Sequence, residues 1–417
     1  MNYPKIGIYA GSGTSHSWLW FVDLFEKAGL FDLVFLDEIS VQNNEIKALD
    51  VLVLSGGDTF AVAKSLGPKG GLNIKCFVEQ GGTYIGSCAG AYLPMNSSKT
   101  PLDLFNFADV KITNLSKTLP LAEIKTCKFC TAYGCDFVFH PVREAVCLKT
   151  TPFFDRENCF QFEAPLYGGP GMEALDPSWV LAVYDNFTPK TNFLTSRKIA
   201  EKTLIGNAAV VRVPFGQGFF HLLGPHLEHP GFKQANQFIL DIVLAKTPFL
   251  PKTKPPHTTP RMAGKEAKAL LLSIRRELSN SRIVAGSLEF LPVQWLIGQK
   301  TYEPQKVRVY LESLWKRLGF LEKTKMLVVK PGLGETITRT AGRTTIELRR
   351  IKQLIDGQKE SLKTAIRVFE LLHTLSISFF DLYFATLSSG RGPVDGEDNL
   401  PGKSTGRPRP IGNTLTP

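Results

Sequence analysis

Residues 82–92 read Gly-Thr-Tyr-Ile-Gly-Ser-Cys-Ala-Gly-Ala-Tyr, and the turn the chain must make at Cys88 decides the fold. A β-prone run ends at Ile85, and Gly86 and Gly90 then bracket the cysteine as Gly-x-Cys-x-Gly. This spacing predicts a nucleophile elbow, a sharp strand-to-helix turn that holds its central side chain up and tolerates only small neighbours. A helix N-terminus behind the thiol helps lower its pKa, and the thiolate is the reactive species. The same five residues also fit a buried cysteine on an ordinary strand-to-helix turn.

Two further stretches fit the reactive reading. Residues 216–230 read Gly-Gln-Gly-Phe-Phe-His-Leu-Leu-Gly-Pro-His-Leu-Glu-His-Pro. Gly218 to Leu223 reads as a buried strand that stops at Gly224-Pro225. His226 and Glu228 follow at i and i+2, which point the same way in extended chain. Glu228 could then orient His226 while His226 takes the Cys88 proton, the base-and-orienter logic of an activated cysteine. A solvated loop pair is the plainer alternative. His221 reads as a packed strand residue, and His229 is restricted by the proline that follows it. In Leu52-Val-Leu-Ser-Gly-Gly-Asp-Thr59, an apolar strand ends in Gly56-Gly57. There the N–H groups of Gly57 and Ala89 are candidates for an oxyanion hole. A plain tight turn would also account for Gly56-Gly57.

Taken together, these pieces resemble the class I glutamine amidotransferase-like superfamily. Within it they resemble the biotin–protein ligase N-terminal domain family. The narrower resemblance is carried by Gly86-Ser-Cys-Ala-Gly-Ala-Tyr92, Tyr167-Gly-Gly-Pro-Gly-Met172, Val180-Leu-Ala-Val-Tyr184, Ala208-Ala-Val-Val-Arg212, Gly216-Gln-Gly and Gly224-Pro-His-Leu-Glu228. It spans about the first three-fifths of the chain. The resemblance implies Cys88 as nucleophile, His226 as base and Glu228 as orienter. Gly56, Asp58, Tyr92, Tyr167, Gly168 and Gly169 would line the substrate site. Tyr92 stands where glutamine-using members carry Gln, and Leu227 replaces the proline of their His-Pro-Glu, so the departures point away from glutamine as substrate. A biotin ligase's glycine-rich nucleotide loop is not visible in the sequence, and no cofactor or metal is expected.

Composition bounds the rest. The chain has 417 residues, 43% hydrophobic, with a formal net charge of +11. Residues 1–250 carry 21 Lys and Arg against 23 Asp and Glu, and residues 251–417 carry 28 against 15. All the basic excess lies in the second part, which suggests a separate role for it. Seven cysteines, all before residue 160, do not make a secreted disulfide framework. The sequence enters Lys5-Ile-Gly-Ile-Tyr9 with no signal-peptide pattern, so a reducing, cytoplasmic setting is expected. Cys127-Lys-Phe-Cys130 with Cys135 and His140 lacks the second ligand pair of a structural zinc site, and packing cysteines are the expectation. Gly11-Ser-Gly-Thr-Ser15 reads as active-site rim, because it lacks the full phosphate-loop spacing.

Strand and helix signals alternate over residues 1–247. The expected fold is α/β, a flavodoxin-like, mostly parallel sheet with helices on both faces. Ligands in such sheets bind beyond the carboxyl ends of the strands. A proline-rich linker over 248–261 should lead to a basic, mainly helical region over 262–388 and a disordered tail over 389–417. Within the basic region the expected elements are helices over Lys265–Leu278 and Pro304–Leu318, a hairpin of Met326–Val329 with Thr336–Thr340, and one long helix over Thr344–Leu372. Helices with a basic hairpin faintly suggest a winged-helix-like module with nucleic acid as partner. Oligomerisation or partner docking is the alternative. The continuation to Leu387 carries His373 and Asp381, so no membrane span is expected.

Two functions follow. One is a cysteine-dependent amidohydrolase or amidotransferase acting on a small carboxamide or acyl compound, with a separate acceptor protein for any ammonia. The other is a catalytically silent ligand-binding or regulatory module whose basic C-terminal part meets a partner.

Overall fold

The computed structural model describes residues 3–115, 138–155, 158–245 and 260–389. Short, buried and largely apolar runs become the centre of the sheet, as expected for strands covered on both faces. They are β1 (Ile6–Tyr9), β2 (Leu33–Leu36), β3 (Val51–Leu54) and β4 (Thr83–Ser87). With β12 (Gly218–Leu223) they form a parallel block in the order β2-β1-β3-β4-β12. Beyond β12 the sheet turns antiparallel through β11 (Ala208–Phe215), β9 (Val180–Phe187), β6 (Val142–Thr150) and β10 (Asn192–Phe193). Strand β7 (Gln161–Leu166) pairs with β6, and β8 (Met172–Ala174) joins β11 to β5 (Val110–Ile112). The fold is α/β and flavodoxin-like, and the antiparallel wing extends it on one side.

Helices α1 (Trp18–Lys27), α2 (Glu38–Gln42), α3 (Thr59–Glu79), α4 (Ala89–Tyr92), α5 (Arg197–Leu204) and α6 (Lys233–Leu244) connect or flank these strands. Helix α3 consists of two helical pieces that meet at a kink at Gly67, where the backbone leaves the helical region at φ 58°. Thr203 lies in the last turn of helix α5, and the turn at Gly206 (φ 85°) separates α5 from β11. Among the described residues, Val138 forms an isolated bridge to Leu115 and strand β6 starts at Val142.

The C-terminal region holds α7 (Gly264–Leu288), α8 (Pro304–Leu321), α9 (Leu333–Asp356) and α10 (Leu362–Ser389). Strand β13 (Arg261–Ala263) pairs with β16 (Met326–Val328), and β14 (Trp295–Ile297) with β15 (Lys300–Tyr302) as a small hairpin. The hairpin expected from Thr336–Thr340 is absent, because those residues are helical. Ile337, Thr340, Ala341, Thr344 and Thr345 recur at helical spacing and are buried. The Thr344 hydroxyl donates back to the Thr340 carbonyl at 2.9 Å, which satisfies a buried β-branched polar residue inside a helix. The single helix expected over Thr344–Leu372 breaks at Gly357-Gln358, where Gln358 has φ 52°. Most of the expected linker, residues 248–259, and the tail from residue 390 lie outside the described residues.

This region shares one apolar core with the sheet. Phe380 of α10 meets Trp18 edge-on at 5.6 Å and Phe35 of β2 at 5.2 Å between ring centres. Arg317 of α8 is 2% exposed and reaches Asp23 and Glu26 of α1 at 2.6 and 2.5 Å. Among the described residues, α10 is the one helix long and apolar enough to cross a bilayer, and most of its apolar window is buried inside the fold.

Candidate active site

Parallel register brings the site together. Leu54 of β3 lies beside Gly86 of β4, and Ser87 of β4 beside Leu223 of β12. The chain segments leaving these three strands therefore emerge side by side at one sheet edge: Ser55-Gly56-Gly57, Cys88-Ala89 and Gly224-Pro225-His226. The Cys88 N–H donates to the Leu223 carbonyl at 2.9 Å and locks the second to the third. Cys88 sits at φ 52°, ψ −105°, a conformation rare for any residue with a side chain. A side chain at Gly86 would run into the Gly90 carbonyl, and one at Gly90 into the Leu54 carbonyl. That crowding is why the elbow reads Gly-x-Cys-x-Gly.

His226 and Glu228 are buried at the end of β12. Their segment is a turn, with the His229 N–H donating to the His226 carbonyl at 3.1 Å. It is not the extended chain of the i, i+2 argument, because Pro225 and the Asn236 side chain fold it back. Asn236 Nδ2 donates to the Leu227 and His229 carbonyls at 2.7 and 3.0 Å. The two side chains still meet, with His226 Nδ1 2.6 Å from Glu228 Oε1. The Cys88 thiol lies close enough to His226 for each to shift the other's titration. A β-carbon on Gly56 would lie 2.7 Å from His226 Cε1, so only glycine leaves room for the imidazole there. The Ser87 hydroxyl lies 3.0 Å from both Glu228 oxygens and holds the carboxylate from the elbow side.

Electrostatics follow this geometry. Burial pushes the Cys88 thiol up, but the His226 charge, helped by Lys300, brings it below the ordinary thiol value. Burial pulls His226 down, and the Glu228 carboxylate and Cys88 lift it to about 9. Thiolate and imidazolium support each other, so the two titrate as a coupled pair. His16, close enough to feel the His226 charge, is held neutral by burial and by Lys306 and Lys300.

The other sequence candidates divide. The Ala89 N–H is the first of α4, and the Gly57 N–H has no acceptor among the described residues. Tyr167 packs its ring 5.7 Å from the His226 ring and donates its hydroxyl to Glu144 at 3.0 Å. Tyr92 donates to the Gly168 carbonyl at 3.2 Å. Asp58 is committed within the protein. One oxygen caps α3 through the Phe60 and Ala61 N–H groups, and the other accepts the Gln299 N–H at 2.7 Å. Gly169 lies against the Gly224 backbone with no space for a side chain, so it is a packing contact. Cys127, Cys130 and Cys135 lie outside the described residues. His140 is buried beside Gly168 and is held down at about 4 by burial, with Lys300 and Arg143 adding to the effect. Among the described residues, no three His, Cys, Asp or Glu side chains group as a metal site.

Sequence reasoning missed Ser87, Trp20, Arg143 and Lys300. Trp20 stands edge-on to His226 at 5.5 Å and to His229 at 4.6 Å. Arg143 lies 5.8 Å over the Tyr167 ring. Ser87 could have been suspected as an inward neighbour of the nucleophile. Lys300 carries no local signal beyond the Gly298-Gln299 turn between two short β-prone runs.

Residues 5–103 match the family model described as biotin-protein ligase, N terminal. The match covers Gly56-Gly57 and the Cys88 elbow and ends before Tyr167 and His226. The chain is also similar to solved structures. A cytoplasmic protein from Salmonella typhimurium is 13% identical, with 57% of this chain and 97% of that one covered and a TM-score of 0.36. A ThuA-like protein from Bacteroides uniformis is 13% identical, with 58% and 91% covered and a TM-score of 0.33. A beta-galactosidase from Bacillus circulans sp. alkalophilus is 11% identical at a TM-score of 0.29, and the match spans 57% of this chain but 30% of that enzyme. No curated protein matches the chain.

Proposed function

We propose that this protein is a cysteine-dependent hydrolase or transferase acting on the C–N bond of a carboxamide or a related acyl compound. One observation carries the reading. His226 meets Glu228 at 2.6 Å and stands near the thiol of a strained elbow cysteine, whose titration it lowers. A buried imidazole held by a carboxylate near a thiol is an arrangement with chemical use, whereas a packed histidine needs only dipolar partners.

The steps follow from the geometry. The Cys88 thiolate attacks the acyl carbon, and the Gly57 and Ala89 N–H groups take the charge that develops on oxygen. The imidazolium of His226 gives its proton to the leaving nitrogen. The C–N bond breaks, an amine or ammonia departs, and the acyl group stays as a thioester. His226, neutral again and oriented by Glu228, takes a proton from water, which attacks the thioester, releases the carboxylic acid and restores the thiol. An amine in place of water would make the reaction a transfer. We further propose that residues 1–247 form the catalytic unit, with 262–388 docked on it as a second one.

The test is a panel of small carboxamides and an activity-based thiol probe, applied to the full chain and to Cys88→Ala. Ammonia release and labelling at Cys88 should both vanish in the variant. Release that persists in Cys88→Ala removes Cys88 from the chemistry.

A further inference from the structure

We propose that the substrate is anionic, and that its negative group is met by Lys300, which the C-terminal region inserts at the edge of the Cys88 site. The inference rests on the thiol chemistry proposed above and adds the charge of the substrate. The β14–β15 hairpin turns at Gly298-Gln299, with Gly298 at φ 61°. The turn is pinned where the Gln299 N–H meets Asp58, one residue from Gly57. Lys300 follows directly, so its side chain starts within a few residues of the proposed oxyanion donors.

The negative groups Lys300 feels are the Cys88 thiolate and Asp58, and the cations Arg143 and Lys306 stand near it as well. Lys300 is partly buried and has no ion-pair partner among the described residues. Asp58, the nearest carboxylate in the hairpin's contact, is occupied by three N–H groups. Burial lowers the Lys300 pKa, the Cys88 thiolate and Asp58 oppose the shift, and Arg143 adds to it, while Lys306 is close enough to feel Lys300 as a like charge. An ammonium withdrawn from water beside two other cations is costly unless an anion joins it. A carboxylate or similar group on the acyl compound would supply that anion and fix the acyl carbon relative to Cys88.

Lys300 could instead serve only to favour the Cys88 thiolate. Reagent charge separates the two roles. Iodoacetate and iodoacetamide alkylate a thiolate by the same displacement of iodide, and one is an anion and the other neutral. Thiolate stabilisation speeds both equally, whereas anion recognition changes their ratio.

Rates of Cys88 alkylation by the two reagents are to be followed by peptide mapping in the full chain, in Lys300→Gln and in Lys300→Arg, with glutathione as reference. The iodoacetate-to-iodoacetamide ratio should exceed that of glutathione by about tenfold or more, the scale on which a charged cleft raises encounter rates. Lys300→Gln should bring the ratio back to the glutathione value, and Lys300→Arg should keep it. Thermal melting of each variant confirms that the hairpin is still docked. Equal slowing of both reagents in Lys300→Gln, or a wild-type ratio no higher than that of glutathione, overturns the anionic substrate and leaves the reactive thiol standing. A Cys88 that resists both reagents overturns the thiol chemistry itself.

Discussion

The turn after β12 buries a histidine and the middle of α10 half-buries one, and the two titrate in opposite directions. His373 donates from Nδ1 to the Ala10 carbonyl at 3.1 Å, while its Nε2 meets the Tyr310 hydroxyl at 2.7 Å. Burial holds it down at about 4 against only weak opposition from the Ala10 and Gly11 carbonyls and distant carboxylates. His226 is at least as deep, yet a carboxylate at 2.6 Å and a thiol lift it to about 9. Dipoles satisfy a neutral imidazole, whereas a buried carboxylate demands a charged one. The first histidine joins the helical region to the carboxyl end of β1. The second is placed to move protons.

The comparison breaks most directly at the thiol. Cys88→Ala should lower carboxamide turnover by at least about 10³-fold, measured as ammonia release, with melting unchanged within a few degrees. Glu228→Gln keeps the shape and the Ser87 hydrogen bond but makes the His226 site resemble the His373 one. His226 should then fall well below 9, the Cys88 thiol should rise, and turnover at pH 7 should drop by about 10²- to 10⁴-fold.

The joint responds in stability and not in chemistry. Arg317→Met leaves Asp23 and Glu26 facing each other without their guanidinium and should cost about 3 kcal/mol or more in urea unfolding. The ratio of rates with charged and neutral reagents at Cys88 should not move while the chain remains folded. His373 gives the smaller effect, and it depends on pH. Its folded pKa of about 4 lies below its ordinary value, so the unfolded chain binds a proton that the folded chain refuses between pH 6.5 and 4. Its contribution is whole above pH 6.5 and is lost as pH falls through about 4, up to about 3 kcal/mol. His373→Gln should flatten the acid limb of stability against pH by one proton.

The same contrast explains what could be read from the sequence. Strands β1 and β3 are uninterrupted apolar runs, β4 and β12 are largely apolar, and each is followed by glycine or a small residue, so their type and the edge they end on are locally encoded. The Gly-x-Cys-x-Gly spacing is local as well, since Gly86 and Gly90 answer to backbone atoms a few residues away or on the adjacent strand. The C-terminal region is set by packing. Thr336–Thr340 has the β-branched composition of a strand, yet Ile337 and Thr340 are drawn into a helix by the apolar face they share with Ala341 and Thr344. Asp58 reads as a ligand residue and turns out to cap α3 and hold Gln299, a partner 241 positions away. Lys300 is the clearest case, because its place at the site depends on a hairpin whose docking no local pattern announces.

The central claim is that His226, held by Glu228, draws the Cys88 thiol below its ordinary titration range. The direct measurement is the rate of Cys88 alkylation against pH, read from the Cys88 peptide alone. The rate should titrate below the ordinary thiol range, so that Cys88 at pH 7 reacts faster than a free thiol. A rate that is negligible at pH 7 and rises through pH 8 to 9, as a free thiol near pKa 8.5 would, contradicts it.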